Sequence, residues 1–204
     1  MTNQPDHSDG LSEKFLSDDM MHYGMENHQG VMTMTIDIVS PRITSPATPR
    51  KQIATDFELL DELPIRGGWG YTLEDAVIID KNDPVVPKDQ CFSGIGIEKL
   101  FVEYRIYEEL IISRPENDRY DEIEWKLLKQ SLTGNNGRKY DLLTYEVTAL
   151  PDKDLEKLNA EWDGPNGYDS PGFDLHAYLK RHDSHMIRYA TEYWFDITSF
   201  FGSE

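Results

Sequence analysis

Apolar and polar side chains alternate most cleanly in residues 31–39. Successive side chains of a β-strand point to opposite faces of a sheet, so a period of two predicts a strand with one buried face. The apolar face consists of Met32, Met34, Ile36 and Ile38. Residues 40–50 follow and are rich in proline, which has no backbone N–H to donate to a sheet. We therefore predict an extended arm there, which either connects two elements or docks on a partner.

Shorter apolar runs follow at residues 57–60 and 76–79. Their length and flanking residues predict two short strands, and the glycine-rich residues 66–71 between them predict a turn. Residues 97–112 carry apolar side chains at helical spacing and stop before Pro115, which predicts a helix. Their aromatic and branched side chains would also suit a strand, so the pattern leaves both alternatives open.

The second half of the chain predicts a β-hairpin followed by two helices. Residues 140–150 alternate and come after an Asn-Gly pair at residues 136–137, which is typical of a hairpin turn. The preceding arm, residues 123–127, fits strand alternation but also matches a helical spacing of apolar side chains. Amphipathic patterns at residues 152–162 and 173–181 predict the two helices.

The aromatic-rich residues 187–201 predict a C-terminal stretch that docks into the core rather than fraying. Together the elements predict an α+β fold with a mostly antiparallel sheet and two to four helices. Residues 1–30 are mostly polar and predict a flexible, mostly disordered N-terminal segment. The predicted organisation is that segment followed by a single α+β domain over residues 31–204, which includes the proline-rich arm at 40–50.

Composition and charge narrow the classes of function. The chain has 204 residues, 38% of them hydrophobic, which is enough to form a full core. Its 38 acidic and 20 basic residues give a net charge of -18, which repels nucleic-acid phosphates and anionic lipids. The charge is spread along the chain, so it indicates solubility more directly than mimicry of a nucleic acid, which requires carboxylates gathered on one face.

The location of the protein is also constrained. No apolar run is long enough to span a bilayer, and the first residues lack the basic and apolar stretches of a secretory signal. We therefore expect a cytoplasmic protein that binds neither membranes nor nucleic acid directly. The single cysteine, Cys91, cannot form an internal disulfide, which fits a reducing compartment. We expect a buried or half-buried side chain there rather than a nucleophile.

The glycine-rich turn is the first candidate site. Its three glycines allow positive φ angles, while Arg66, Trp69 and Tyr71 present large side chains of the kind found at protein interfaces. The alternative is a tight connection in which Trp69 fills the core. The turn lacks the Gly-Lys-Ser/Thr ending of a phosphate-binding loop, so nucleotide binding is not predicted.

Histidines near the C-terminus form the second candidate site. His182 and His185 are three residues apart, so on a helix they would lie on one face and could bind a divalent metal with a nearby carboxylate. The alternative is that both histidines are solvated or satisfied within the core. Neither a His-Glu-x-x-His pattern nor a serine nucleophile motif accompanies them, and no other cofactor is expected.

The acidity, the proline-rich arm and the glycine-rich turn together favour a non-enzymatic protein-binding role, such as an accessory, inhibitor or immunity-type factor. The expected partner is a basic protein, because the chain itself is strongly acidic. One alternative is a metal-assisted hydrolase that uses the C-terminal histidines, in which the metal would activate water. Another is a structural component of a larger assembly, whose N-terminal segment becomes ordered on association.

Overall fold

The computed structural model describes residues 46–89 and 91–202. In chain order their main elements are α1 (Pro49–Asp56), β1 (Ile65–Gly67), β2 (Val77–Ile79), α2 (Gly94–Tyr107), a π-helical turn (Glu108–Ile112), β3 (Tyr120–Asn135), β4 (Arg138–Pro151), α3 (Asp152–Trp162), α4 (Leu175–His185) and β5 (Ile187–Asp196). The five strands of these described residues form one sheet in the order β1-β2-β5-β4-β3. β2 runs parallel to β5 and the other three pairings are antiparallel, so the sheet is mixed. The predicted α+β class is confirmed.

β3 and β4 form the predicted hairpin and pair along almost their whole length. Positive φ angles at Asn136 (49°) and Gly137 (78°) close the turn, as expected for the two-residue turns whose twist matches that of the strands. The arm at residues 123–127, for which the sequence left two alternatives, belongs to β3. β3 is therefore an outer strand of the sheet, with β4 on one side and no described strand on the other.

The helix predicted at residues 97–112 is confirmed, because α2 reaches Tyr107 and the π-helical turn continues directly from it. Ser93 caps the start of α2, where its hydroxyl accepts a hydrogen bond from the Gly96 N–H at 3.1 Å. A β-strand over the same residues would lose this cap. It would also place successive apolar side chains on opposite faces, whereas the helix directs them to one core.

The main core lies between α2 and the sheet. Phe101 contacts the rings of Tyr193 and Phe195 edge-to-face, with centroid distances of 6.2 and 5.6 Å. The other fully buried apolar side chains of this core are Ile53, Ile65, Val77, Ile79, Val102, Ile106, Leu110, Val147 and Ala149. Burial of each isoleucine, valine or leucine among them stabilises the fold by about 1.5–3 kcal/mol. This packing fixes α2 against the β4 and β5 half of the sheet.

A smaller core joins α3, α4 and the end of β4. Its buried members are Leu150, Leu158 and Tyr178. α3 confirms the helix predicted at residues 152–162. α4 starts at Leu175, slightly later than predicted, because Asp174 caps it by accepting a hydrogen bond from the Ala177 N–H at 2.9 Å.

One prediction is wrong next to α1. Residues 57–60 form a turn after this helix and not a strand, and Phe57 packs its ring against Tyr104 at a centroid distance of 4.4 Å. α1 itself begins at Pro49, so the last two residues of the predicted extended arm are helical, while residues 40–45 of that arm lie outside the described residues. Proline is tolerated in the first turn of a helix, where its missing N–H would have no intrahelical partner.

The strand predicted at residues 31–39 and the N-terminal segment at residues 1–30 lie outside the described residues. Cys91 is exposed, so the expectation that it is buried or half-buried is wrong. Across residues 46–89 and 91–202, no helix combines the length and the apolar character required to cross a membrane.

Candidate functional site

The glycine-rich turn is a tight connection held against β5. Gly67 and Gly70 have φ angles of 86° and 81°, which non-glycine residues rarely adopt. The Gly70 carbonyl accepts a hydrogen bond from the Trp194 N–H at 2.7 Å, which ties the turn to the sheet. The Asp75 carboxylate accepts a second one from the Trp69 N–H at 2.9 Å. The backbone of the turn is therefore fixed by the sheet and by its own side chains.

The three predicted site residues of this turn lie in different environments. Arg66 is exposed and pairs with Asp80 at 2.9 Å. Trp69 is only 9% exposed, and its ring lies 4.4 Å from the guanidinium carbon of Arg105. Tyr71 is half-buried and hydrogen-bonded to Arg105. The exposure that a partner contact requires is thus present at Arg66 and absent at Trp69.

Arg105 is the centre of a buried polar network that the sequence analysis missed. Its guanidinium is fully buried and pairs with Glu108, and it also pairs with Glu109 at 3.2 Å. The Tyr71 hydroxyl donates a hydrogen bond to Glu109 at 2.5 Å. The available signal was the spacing of the three charges, because carboxylates three and four residues after an arginine lie on the same helix face.

Burial dominates the electrostatics of the Arg105 network. It raises the pKa of Glu108 to about 7, although the neighbouring Arg105 guanidinium opposes that rise. Burial and the negative charge of Glu109 likewise raise the pKa of Tyr71. Arg105, Glu108 and Glu109 are buried, and their contacts with Tyr71 link α2 to the glycine-rich turn, which favours a structural role for the network.

The two C-terminal histidines do not converge on a common site. His182 lies 2.6 Å from the Glu122 carboxylate of β3, measured from Nε2. His185 lies 3.3 Å from the Asp154 carboxylate of α3, measured from Nδ1. Among the residues that the structure describes, no group of three or more His, Cys, Asp or Glu side chains is placed to hold a metal ion.

Zinc or manganese is therefore expected to leave the thermal midpoint of unfolding unchanged. Separate carboxylates hold His182 and His185, so a shared metal would first have to break both contacts. Differential scanning fluorimetry with each metal and with a chelator tests this. A stabilisation that rises with metal concentration in the wild type and disappears in His182→Ala would contradict the expectation and revive the hydrolase alternative.

A third group of residues surrounds Asp141 of β4. We call it the outer-strand site, and its members are Leu127, Gln130 and Leu132 of β3, Asp141 of β4 and Glu98 of α2. In the sheet register Leu127 is opposite Tyr145 and Leu132 is opposite Asp141. Residues opposite each other in an antiparallel pair point to the same face, so both leucines share the face on which α2 packs.

The outer-strand site combines exposed leucines with buried carboxyl groups. Leu127 and Leu132 are 43% and 56% exposed, whereas Glu98 and Asp141 are only 2% and 4% exposed. The Gln130 side-chain amide donates a hydrogen bond to Oδ2 of Asp141. Oδ1 of Asp141 is buried and accepts no hydrogen bond. Buried carboxyl oxygens without partners are uncommon, because removing them from water is costly.

Burial and mutual repulsion control the ionisation of these carboxyl groups. Burial, together with the nearby negative charge of Asp141, raises the pKa of Glu98 to about 8. Burial also raises the pKa of Asp141, and the hydrogen bond from Gln130 opposes that rise. The sequence contained no signal for this site, because Glu98 and Asp141 are distant in the chain.

Comparison of the chain with models of protein families, with curated proteins and with solved structures found no match.

Proposed function

We propose that this protein is a non-enzymatic binding protein that recognises an extended, basic segment of another protein along β3. The observation that carries this proposal is the outer-strand site, in which exposed leucines on an outer strand adjoin the buried carboxyl groups of Glu98 and Asp141, and one oxygen of Asp141 has no hydrogen-bond partner. The groups with the most perturbed environments elsewhere, around Arg105, are enclosed and so favour a structural role.

The outer position of β3 supports recognition of an extended segment. β3 has 16 residues, and among the described residues only β4 pairs with it. Such an edge presents backbone N–H and C=O groups to which another chain can add a strand. Leu127, Leu128 and Leu132 are 43%, 51% and 56% exposed, and their burial under a partner would supply apolar contact.

Other features of β3 limit its pairing to suitable partners. Lys126 and Lys129 lie on this strand, and its register against β4 shifts between Asp121 and Glu124 and between Leu127 and Lys129. Lysines and bulges are common devices against indiscriminate edge pairing. A partner must therefore match an irregular strand, which makes recognition more selective than simple sheet extension.

Charge complementarity selects a basic partner over a second copy of this chain. Each copy carries a net charge of -18, so two copies repel each other, whereas a basic segment is attracted. The unpartnered oxygen of Asp141 adds a local reason for the same choice. Nucleic acid is disfavoured because its phosphates are also repelled.

Site-specific photo-crosslinking tests this proposal directly. p-Benzoyl-phenylalanine in place of Leu128 is expected to crosslink, in extracts of the native host, to a peptide rich in lysine or arginine. The matched control places the same group at Leu60, which is fully exposed and lies outside the outer-strand site. A crosslink between two copies of this chain, a crosslinked peptide without basic residues, or the same peptide from both positions would contradict the proposal.

Leucine-to-aspartate substitutions should weaken binding to the partner identified in this way. Leu127→Asp with Leu132→Asp is expected to weaken affinity at least about tenfold, because apolar contact is lost and buried charge is introduced. Leu60→Asp serves as the control, since it adds the same charge to another exposed leucine. Isothermal titration calorimetry measures both, and circular dichroism checks that each variant is folded. Equal affinities for the double variant and the control would place the interface elsewhere.

A further inference from the structure

We propose that Glu98 and Asp141 together receive the guanidinium group of one arginine side chain from the bound segment. This inference rests on the proposed function and specifies which side chain of the bound segment the outer-strand site recognises. It assigns the leucines of β3 to the apolar stem of that arginine and the two carboxyl groups to its charged end.

The first reason for this assignment is that one oxygen of the Asp141 carboxyl group lacks a hydrogen-bond donor. Oδ1 is buried without a hydrogen-bond partner, and Oδ2 accepts a hydrogen bond from the exposed Gln130 side chain. An arginine presents a planar fork of N–H groups that can donate to both oxygens of one carboxylate. Such a fork would satisfy the orphaned Oδ1, which a single point donor from lysine would not do as completely.

Gln130 holds the position that the guanidinium would take. Its side chain belongs to an exposed residue of the outer strand, and its NH₂ group donates to the buried Asp141 carboxylate. An amide NH₂ is the neutral counterpart of one arm of a guanidinium. Since Gln130 is exposed, rotation about its side-chain bonds can release Asp141 without displacing any element of the core.

The neighbouring leucines suit the stem of an arginine. Leu132 lies opposite Asp141 in the register, and Leu127 lies opposite Tyr145, next to the same carboxyl groups. Long basic side chains commonly lay their methylene groups along apolar surface while the charged end reaches a polar site. Leu127 and Leu132, each about half exposed, therefore offer the apolar wall that such a side chain requires.

Binding of a cation at this position would release a proton from Glu98. The titratable groups that act on Glu98 or share its surroundings are Asp141 and Tyr145 of β4, while β3 contributes the neutral Gln130. Because the pKa of Glu98 is about 8 in the free protein, this carboxyl is mostly protonated at neutral pH. A guanidinium favours the ionised form, so affinity should rise with pH up to about 8 and then level off.

Argininamide and citrullinamide are suitable probes because they have nearly the same shape and differ in charge. Protein labelled with ¹³C at glutamate carboxyl carbons is titrated by NMR in the presence of each compound. We expect saturating argininamide to lower the pKa of Glu98 by about one unit, which corresponds to tenfold tighter binding to the ionised form. Citrullinamide should leave the pKa unchanged.

Two variants distinguish a specific subsite from general attraction to an acidic protein. Asp141→Asn should abolish the effect of argininamide on Glu98 while preserving the shape of the side chain. Gln130→Ala should bind argininamide several-fold more tightly, because the competing amide donor is gone. An equal shift with both compounds, or an unchanged response in Asp141→Asn, would overturn the inference.

The outcome also separates this inference from the proposed function. A basic peptide crosslinked at position 128 without any effect of argininamide on Glu98 would keep the recognition role and reject the arginine subsite. A specific effect of argininamide without a crosslinked basic peptide would leave the carboxyl pair as a cation site and reject recognition along β3.

Discussion

Replacing Arg105 with methionine is expected to lower the free energy of unfolding by about 3–5 kcal/mol. Methionine preserves the length of the side chain but removes the positive charge between Glu108 and Glu109, both of which are buried. The remaining carboxylates must then be protonated or stay charged in the interior, and each alternative costs stability. Chemical denaturation followed by circular dichroism measures the loss.

Arg66→Met provides the matched control for this experiment. Arg66 lies on the glycine-rich turn that contacts the same network, but its side chain is exposed and pairs with Asp80 at the surface. Loss of an exposed ion pair usually costs about 1 kcal/mol or less. Similar losses for Arg66→Met and Arg105→Met would contradict a special role for the buried charge.

An apolar version of the network tests the cause of the loss. Arg105→Met combined with Glu108→Leu, Glu109→Leu and Tyr71→Phe removes the charges and the hydroxyl together. Replacement of a whole buried ion cluster by apolar side chains is often neutral or stabilising, so this variant should recover much of the lost stability. If this variant is less stable than Arg105→Met alone, the loss of stability comes mainly from altered packing or lost hydrogen bonds and not from the unpaired carboxylates.

Glu98→Gln is expected to make the protein more stable at pH 8.5 and to change its stability little at pH 4. Burial and Asp141 raise the pKa of Glu98 to about 8 from an ordinary value of 4.5. Between the ordinary pKa of 4.5 and the raised pKa of about 8, Glu98 has lost its proton in the unfolded chain but retains it in the folded chain. The wild type therefore loses stability as pH rises through this window, by a total on the order of a few kcal/mol, and no further loss occurs above it.

The measurement compares the free energies of unfolding of wild type and Glu98→Gln at several pH values. The difference isolates Glu98, because the other titrating groups contribute to both proteins. Glu74→Gln, at an exposed position, is the control and should show no such trend. A difference between wild type and Glu98→Gln that is constant from pH 4 to 8.5 would show that Glu98 ionises normally in the folded protein.

These two substitutions also connect stability with the proposed binding role. Arg105 has its carboxylates within the same helix, and its removal only destabilises the fold. Glu98 is buried near Asp141, and its replacement by glutamine should stabilise the fold near pH 8. A buried carboxyl group that costs stability when it ionises, at a proposed recognition site, is the pattern expected of a functional residue.

The predictability of the elements depended on how local their signals were. The Asn-Gly pair at residues 136–137 specifies a hairpin turn by its own backbone preferences, and the turn lies where predicted. The spacing of apolar residues over 97–112 extends through several helical turns, so its period was readable. Residues 57–60 gave a run too short for a period to be defined, and their packing against Tyr104 decided their conformation.

The candidate sites were less predictable, because their chemistry depends on which faces meet. Trp69 was predictable as a large side chain in a glycine-rich turn, but the position of α2 decided that its ring would be covered by Arg105. His182 and His185 share one helix as expected, yet Glu122 and Asp154 approach them from different elements. Local spacing therefore identified residues with reactive or recognition-type side chains without identifying their partners.

The sequence by itself determined the α+β class, the hairpin, the long helix before it and the strongly acidic character of the protein. Backbone preferences and hydrophobic periodicity act over a few residues, which is why these features can be read along the chain. Only the tertiary structure decided that Glu98 is buried near Asp141 and that β3 is an outer strand among the described residues, with its leucines exposed. Strand order and helix packing bring together residues that are distant in sequence, and the resulting burial sets both the pKa of a carboxyl group and the exposure of a strand.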